Sequence, residues 1–335
     1  MKALILAGGY GTRLRPLTYT RPKHMLPIAN RPHIERVFDL LMSHGVKDVV
    51  LLTSYLSDAF ADVIERAEAA GMTVKSTFEE EPLGTAGAFK NARDFVGDDA
   101  FVVFNGDILT DLDLTSVIEW HRSKGATATI VLHEVDDPSA YGVVETNGEG
   151  RVLGFIEKPA KGEAPTNLIN AGIYVFEPSV LDWIPEGRVW SAERELFPQL
   201  VEDGAGLFAL GTDAYWRDIG TPESYLEANL DAIGGRYGVS HLELESGDVV
   251  RAPDARAEGD ASVRQSVLGP RVVVEAGAVV EQSVLLDGAR VGRGATVRRS
   301  TLGAGVVVEP GATVEHTAVG DNESLPVRAP GVGTG

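Results

Sequence analysis

Between Met1 and Pro27 the chain passes from an apolar run, Lys2–Ala7, straight into Gly8-Gly9-Tyr10-Gly11-Thr12-Arg13, followed by Arg15 and by Pro22-Lys23. A short apolar run of this kind reads as a buried strand. A strand that enters a glycine loop presents bare backbone N–H groups, which cradle phosphate, and Arg13, Arg15 and Lys23 add positive charge at the same place. The chemistry to expect is that of a nucleotide or a sugar phosphate. No Gly-Lys-Ser/Thr follows the glycines, so the loop is not a Walker A loop. Leu14 stands where a dinucleotide fingerprint has its third glycine. For the glycines alone, a tight strand-to-helix turn without a ligand is the other reading.

Two acidic positions could add to this chemistry. Asp107 closes Asn105-Gly106-Asp107 at the end of an apolar run, and Asp218 lies in Arg217-Asp218-Ile219-Gly220 ahead of a helical pattern. Delivered to one crevice, the pair could hold Mg2+, with phosphate oxygens filling its remaining positions. Taken singly, each also reads as a turn or N-cap aspartate. Glu79-Glu80-Glu81 precedes Pro82-Leu83-Gly84. A carboxylate only accepts hydrogen bonds. Guanine offers N1–H and N2–H side by side, whereas uracil and thymine offer one N–H between carbonyls, so the run favours GTP. The alternative is a solvated charge run, with backbone groups near Gly84 and Thr85 reading the base.

The elements that must position these residues alternate in type. Strand signals at Leu4–Ala7, Val49–Thr53, Thr73–Phe78 and Phe101–Phe104 are separated by helical patterns at Ile34–His44, Ala59–Ala70 and Thr85–Phe95. This alternation predicts a mostly parallel sheet covered by helices. Ligands on such sheets bind beyond the carboxyl ends of the strands, so Gly8–Arg13, Glu79–Thr85 and Asn105–Asp107 should converge on one crevice. From Thr127 the strands follow in quick succession (Thr127–Val135, Tyr141–Glu145, Arg151–Glu157, Asn170–Phe176), an antiparallel excursion. Helices at Glu193–Glu202 and Pro222–Ala232 close the domain.

The C-terminal part repeats. Val267, Val273, Val279, Leu285, Val291 and Val297 are spaced by six, and after a five-residue step Leu302, Val308 and Val314 resume the period. One aliphatic in six with recurring glycines predicts a parallel β-helix, about three coils in length. The expected organisation is a catalytic domain over 1–233, a linker with some strand in it over 234–259, a hexapeptide-repeat β-helix over 260–320 and a flexible tail over 321–335.

The 335 residues carry a net charge of −19, and residues 260–320 hold six Arg and six Asp/Glu, so the surplus acid lies elsewhere. Such acidity disfavours nucleic acid as a partner. A polyanionic nucleotide must then be met by a local basic loop. There is no cysteine, hence no disulfide or thiolate metal site. The N-terminal apolar run is too short for a signal peptide and no stretch approaches a bilayer span. The expected location is cytoplasmic.

Leu6–Thr18 with Pro22-Lys23 and Leu26-Pro27 resembles the signature of the sugar-1-phosphate nucleotidyltransferases (NDP-sugar pyrophosphorylases) and, within them, the mannose-1-phosphate guanylyltransferases. The similarity continues through Glu79–Gly87, Asn105–Asp107, Tyr141–Val144, Glu157–Pro159, Ile169–Gly172 and Trp216–Gly220, in the family's order, and the hexapeptide tail resembles that of the longer members. The resemblance implies an α/β fold, a Rossmann-like mixed-sheet nucleotidyltransferase domain followed by a left-handed parallel β-helix. It implies transfer of a nucleotidyl group to a hexose 1-phosphate, with GTP and mannose 1-phosphate favoured over dTTP or UTP with glucose 1-phosphate. It assigns nucleotide binding to Leu6, Ala7, Gly8, Gly9, Gly11, Thr12, Arg13, Lys23, Glu79, Gly84 and Thr85. Sugar-phosphate binding falls to Gly142, Glu157, Lys158 and Asn170, Mg2+ to Asp107 and Asp218, and catalysis to Arg13, Lys23, Asp107, Lys158 and Asp218. Related uridylyl- and thymidylyltransferases carry Gln where this chain has Glu79. The short thymidylyltransferases carry an Arg on the sugar phosphate in the segment matching Ser191, which leaves that contact open between Arg188 and Arg194. A homo-oligomer, formed through the β-helix, is expected. Two other readings are a regulatory subunit that senses nucleotide sugars, against which the intact motifs argue, and an acyltransferase activity of the repeats at His316, for which the helix is short.

Overall fold

The computed structural model describes residues 1–54, 56–79, 81–238, 244–246 and 248–327. Glu80 of the acidic run, residues 239–243 and 247 of the expected linker, and residues 328–335 of the expected tail lie outside the described residues. The chain forms two compact units, Met1–Gly9 with Ile34–Trp216, and Tyr10–His33 with Arg217–Gly335.

The first unit is built on a nine-stranded mixed sheet. Its main path runs Val152–Glu157, Gly142–Thr146, Leu168–Phe176, Phe101–Asn105, Lys2–Leu6, Asp48–Thr53, Thr73–Phe78. The last four strands are mutually parallel, and the first three pair antiparallel. Ala128–Glu134 pairs with Leu168–Phe176, and Leu207–Gly211 with Ala128–Glu134. The central strands read as unbroken apolar runs because both faces are covered: Leu4, Ile5, Leu51 and Phe101 to Phe104 are all buried. Helices His33–Ser43, Ala61–Ala69, Gly84–Asn91 and Leu114–Lys124 follow strands as the alternation predicts. The last of these begins at Asp113, whose side chain accepts from Ser116 N, and stops at Gly125 in the left-handed region (φ 55°). Phe101 meets Phe176 edge-on at 5.8 Å and Tyr174 lies 5.2 Å from Phe197, which fixes the strand Leu168–Phe176 against the core.

One helix departs from expectation. The stretch predicted as helical from Glu193 opens as a π-turn, Ala192–Leu196, before the α-helix Phe197–Glu202. Ser191 caps this turn by accepting from Glu193 N and Arg194 N.

In the second unit the hairpin Pro27–Ile28/Arg31–Pro32 is tied to the helix Pro222–Ile233: Tyr225 Oη donates to Pro27 O (2.7 Å) and Ala29 N donates to buried Asn229 Oδ1 (2.8 Å). The repeats form a left-handed parallel β-helix, with strands stacked in three parallel sheets of five, five and four. Pairing starts at Val249–Arg251 and ends at Ser324–Leu325. The stack therefore begins inside the segment expected to be a linker and runs beyond the expected three coils. The expected phase of the first repeats is also corrected. Leu268, Val274 and Val280 point into the prism and are fully buried, while Val273 and Val279 are only partly buried. A five-residue step falls between Val280 and Leu285 as well as between Val297 and Leu302, so each coil takes 17 residues, as in Val267↔Val284 and Thr301↔Ala318.

A polar ladder follows the same period. Ser266, Ser283 and Ser300 are buried, and each Oγ accepts from the backbone N–H one coil on, at Ser283, Ser300 and Thr317. Each hydroxyl also donates 2.7 Å to the carbonyl two residues back, so no polar group of the ladder is left unmet. His316 precedes Thr317 at such a corner, with φ 51°. Replacing fully buried Leu285 by Ala is expected to cost about 3 kcal/mol, from lost burial and the cavity left behind. Urea unfolding would measure this, and a change under half that size would mean the coils re-pack around the gap. No helix among the described residues is long and apolar enough to cross a membrane.

Candidate functional site

The first unit carries Gly8 and Gly9 of the glycine loop, the acidic loop and the sugar-phosphate candidates. Beyond the strand Lys2–Leu6, Ala7 N still donates to Leu52 O (2.9 Å), and Gly9 N donates to Ser54 Oγ (3.1 Å). A Cβ on Gly8 would stand 3.0 Å from Ser54 Oγ, and Gly9 holds φ 100° with open space beside it. Glycine is thus required for space at Gly8 and for conformation at Gly9, while the N–H groups of Ala7 and Gly9 are engaged within the protein. Gly106 N donates to Leu6 O (3.0 Å), which leaves half-buried Asp107 just past the carboxyl end of Phe101–Asn105.

Glu79 continues the strand Thr73–Phe78, its N–H donating to Thr53 O. Its carboxylate Oε2 accepts from Leu83 N at 3.2 Å. Burial raises its pKa, an effect partly offset by that N–H. Gly84 begins the next helix at φ 76°, and a Cβ there would lie 2.7 Å from Trp190 O. Trp190 is the backbone clamp of this loop: its N–H donates to Leu83 O, and its carbonyl accepts from Ala86 N and Gly87 N.

The sugar-phosphate candidates cluster on neighbouring strands. A Cβ on Gly142 would stand 2.5 Å from Phe155 Cζ and 3.0 Å from Glu157 Oε2. Lys158 takes the left-handed conformation (φ 51°), donates its N–H to Tyr141 O and holds Nζ 3.7 Å from Glu157 Oε1. Burial raises the Glu157 pKa, the charge of Glu193 adds to this, and Lys158 and Arg194 oppose it. Asn170 accepts from Gly172 N (2.9 Å) and donates to Tyr174 Oη (2.8 Å). Among the described residues it therefore keeps one N–H and one lone pair for another group. Gly172 (φ 75°) marks the bulge in its strand, where a Cβ would meet Asn105 Nδ2 at 2.7 Å. Trp216 stacks on His133 at 5.3 Å, meets Tyr141 edge-on and donates Nε1–H to Ala171 O.

The second unit carries Gly11, Thr12, Arg13, Lys23 and Asp218. Gly11 is left-handed (φ 58°) and its carbonyl accepts from Thr18 Oγ1 (2.8 Å). The 3₁₀ turn Thr12–Leu14 that follows presents Arg13, and Lys23 opens the turn Lys23–Met25. Arg13 and Asp218 both approach Gly220: a Cβ there would stand 2.9 Å from Asp218 Oδ1 and 3.0 Å from Arg13 Nη2. Arg217 is held by buried Asp231, through Nε (2.9 Å) and Nη2 (2.7 Å), and Arg236 pairs with the same carboxylate. Ser224 Oγ donates to Asp218 O.

The structure thus brings together Gly142, Glu157 and Lys158 in one unit, and Arg13 with Asp218 in the other. Sequence reasoning missed Glu193, which accepts from Thr85 Oγ1 at 2.8 Å and whose charge reaches Glu157. No spacing rule would have marked it, because it sits in what reads as an ordinary helix start. Asp107 and Asp218 offer hard oxygen donors of the kind Mg2+ takes. Among the described residues no group of three or more His, Cys, Asp or Glu could hold a metal alone.

Residues 2–234 match the family described as Nucleotidyl transferase, and residues 255–333 the one described as GlmU-like, C-terminal hexapeptide. A protein of Mycobacterium tuberculosis named mannose-1-phosphate guanylyltransferase is 38% identical over 291 residues, covering 86% of this chain and 80% of that protein. A Synechocystis protein named UTP–glucose-1-phosphate uridylyltransferase is 36% identical over 327 residues, covering 87% and 84%. The crystal structure of HddC from Yersinia pseudotuberculosis complexed with GMP-PN is 33% identical, with a TM-score of 0.59 over 68% of this chain and 97% of that one. With glycine loop, acidic loop and strand-end aspartate on a mixed sheet, and with this match over most of its length, the chain belongs to the nucleotidyl transferase family and carries a hexapeptide-repeat C-terminal part.

Proposed function

We propose that the protein transfers a nucleotidyl group from a nucleoside triphosphate to a hexose 1-phosphate, and that its pair is GTP and mannose 1-phosphate. The observation that carries the choice of base is Glu79. Its half-buried carboxylate is steadied at Oε2 by Leu83 N–H, which leaves Oε1 for the adjacent donors of guanine. The likeness to the guanylyltransferase of Mycobacterium tuberculosis supports the same pair.

In this reading a phosphate oxygen of the sugar 1-phosphate attacks the α-phosphorus in line. The new P–O bond forms as the bond to the β-phosphate bridge breaks, and pyrophosphate leaves with that electron pair. The nucleophile is already an anion, so no general base is required, and catalysis is positioning with charge neutralisation. Arg13 holds the triphosphate and the departing pyrophosphate, Lys23 the α-phosphate and Lys158 the sugar phosphate. Gly8, Gly9 and Gly11 let the backbone approach the phosphates, with Leu6, Ala7, Thr12, Gly84 and Thr85 completing the nucleotide site. Gly142, Glu157 and Asn170 receive the sugar. Asp107 and Asp218 would hold Mg2+, which supplies positive charge to the phosphates when bound. A catalytic domain over 1–233, and self-association through the β-helix, are part of the same proposal.

The test is pyrophosphate release with Mg2+ across GTP, dTTP, UTP, ATP and CTP against mannose, glucose, galactose and N-acetylglucosamine 1-phosphates. A maximum at GTP with mannose 1-phosphate is expected. The likeness to the Synechocystis uridylyltransferase favours a second reading, UTP with glucose 1-phosphate, and a maximum there would replace the first. Glu79→Gln should lower the preference for GTP over UTP by about tenfold, the worth of one hydrogen bond to a charged group. An unchanged ratio of kcat/KM values would remove the carboxylate from base recognition.

A further inference from the structure

The segment that clamps the nucleotide loop carries a carboxylate with no role in the assignments above. Glu193 lies one residue into the π-turn Ala192–Leu196, a deformation that often marks functional positions in helices. Its Oε2 accepts from Thr85 Oγ1 (2.8 Å) and from Ser191 Oγ (2.8 Å), while Thr85 Oγ1 accepts from Ala192 N (2.7 Å). Its Oε1 takes no hydrogen bond from the described residues. One end of Glu193 is therefore tied to the loop that opens the helix Gly84–Asn91.

The π-turn that carries Glu193 packs against the strand Val152–Glu157, which ends at one of the sugar candidates. The charge of Glu193 acts on Glu157, and on the fully buried hydroxyl of Tyr174, which in turn accepts from Asn170. Asp107 acts on the same hydroxyl. The two negative charges repel, since that of Glu193 raises the Glu157 pKa, and a tether that only joined Thr85 to the π-turn would be served as well by a neutral glutamine. Retaining the negative charge makes sense for a ligand that brings several hydrogen-bond donors and no negative charge at that end. The hydroxyl edge of a hexose is such a ligand.

We infer that Glu193 is a specificity-determining residue of the sugar site, a second carboxylate that works with Glu157 to accept hexose hydroxyls while its bonds to Thr85 and Ser191 hold it in place. This rests on the sugar-phosphate reading of the same site. Glu193→Gln keeps an oxygen for Thr85 and removes the charge.

The experiment compares wild type with Glu193→Gln in three readings: KM for the hexose 1-phosphate, KM for the nucleotide, and the titration of the Glu157 carboxyl by 13C NMR, assigned with Glu157→Gln. The expected result is a hexose-phosphate KM raised by about tenfold, as for loss of a charge-assisted hydrogen bond. The nucleotide KM should stay within about twofold, and the Glu157 midpoint should fall because the neighbouring charge is gone. A purely structural tether would not produce this split between the two KM values. An active wild type whose hexose-phosphate KM or Glu157 titration is unmoved in Glu193→Gln overturns the assignment of Glu193 alone. A wild type that forms no nucleotide sugar from any pair overturns the reaction and this inference together.

Discussion

Asp107→Asn and Asp218→Asn are each expected to lower kcat by about a thousandfold, the scale on which removing one preorganised electrostatic contact to a transition state acts. Asn matches Asp in size, so the loss should come from charge and not from packing. Asp107 stands beyond the strand Phe101–Asn105 and Asp218 beside Arg13 over Gly220, and both are half-buried. Neither replacement buries an extra polar atom, so thermal unfolding should move by only a few degrees. The measurement is pyrophosphate release over a range of Mg2+ concentrations, with the variants needing more Mg2+ for half-maximal rate. Near-normal rates in both variants would remove the metal role from these aspartates while leaving the family membership untouched.

The second large effect is on stability. Asp231 is 1% exposed on the helix Pro222–Ile233 and holds two guanidinium groups, Arg217 and Arg236. Asp231→Ala leaves the partly buried Arg217 without this carboxylate, and removing one partner of a buried pair costs about 3 kcal/mol. Arg236 is mostly exposed and adds little to that figure. Because Arg217 directly precedes Asp218, activity should fall in the same variant even below its unfolding temperature. Urea denaturation followed by tryptophan fluorescence measures the first effect and the pyrophosphate assay the second. A loss of stability under about 1 kcal/mol would mean that Arg217 finds water or another acceptor at once.

Much of the site could be read from the chain because it sits at strand ends. An apolar run that stops at glycine or at Asn-Gly-Asp announces both the strand and the place where its backbone is bare. The expected strands Val49–Thr53 and Thr73–Phe78 accordingly agree with Asp48–Thr53 and Thr73–Phe78 to within a residue. The β-helix was harder. Val272, Val273 and Val274 offer aliphatic side chains in both phases, as do Val279 and Val280. A six-residue spacing alone does not say which of them turns inward. The answer depends on the five-residue step after Val280, and that step is fixed by pairing one coil with the next, Val267 with Val284.

By itself, the sequence determined the alternation of strands and helices, the glycine and acidic loops, the existence of a repeat and the family, because each of these follows from residues near one another in the chain. Only the tertiary structure decided the inward phase of the coils and the 17-residue coil length. It also decided that Asn170 spends part of its hydrogen-bonding capacity on Gly172 and Tyr174, and that Glu193 accepts from Thr85. Thr85 and Glu193 are 108 residues apart. Their contact arises from the backbone clamp of Trp190 on Leu83, Ala86 and Gly87. No local preference of either residue encodes it: a carboxylate at a helix start has the same propensity whether it faces water or a partner across the sheet.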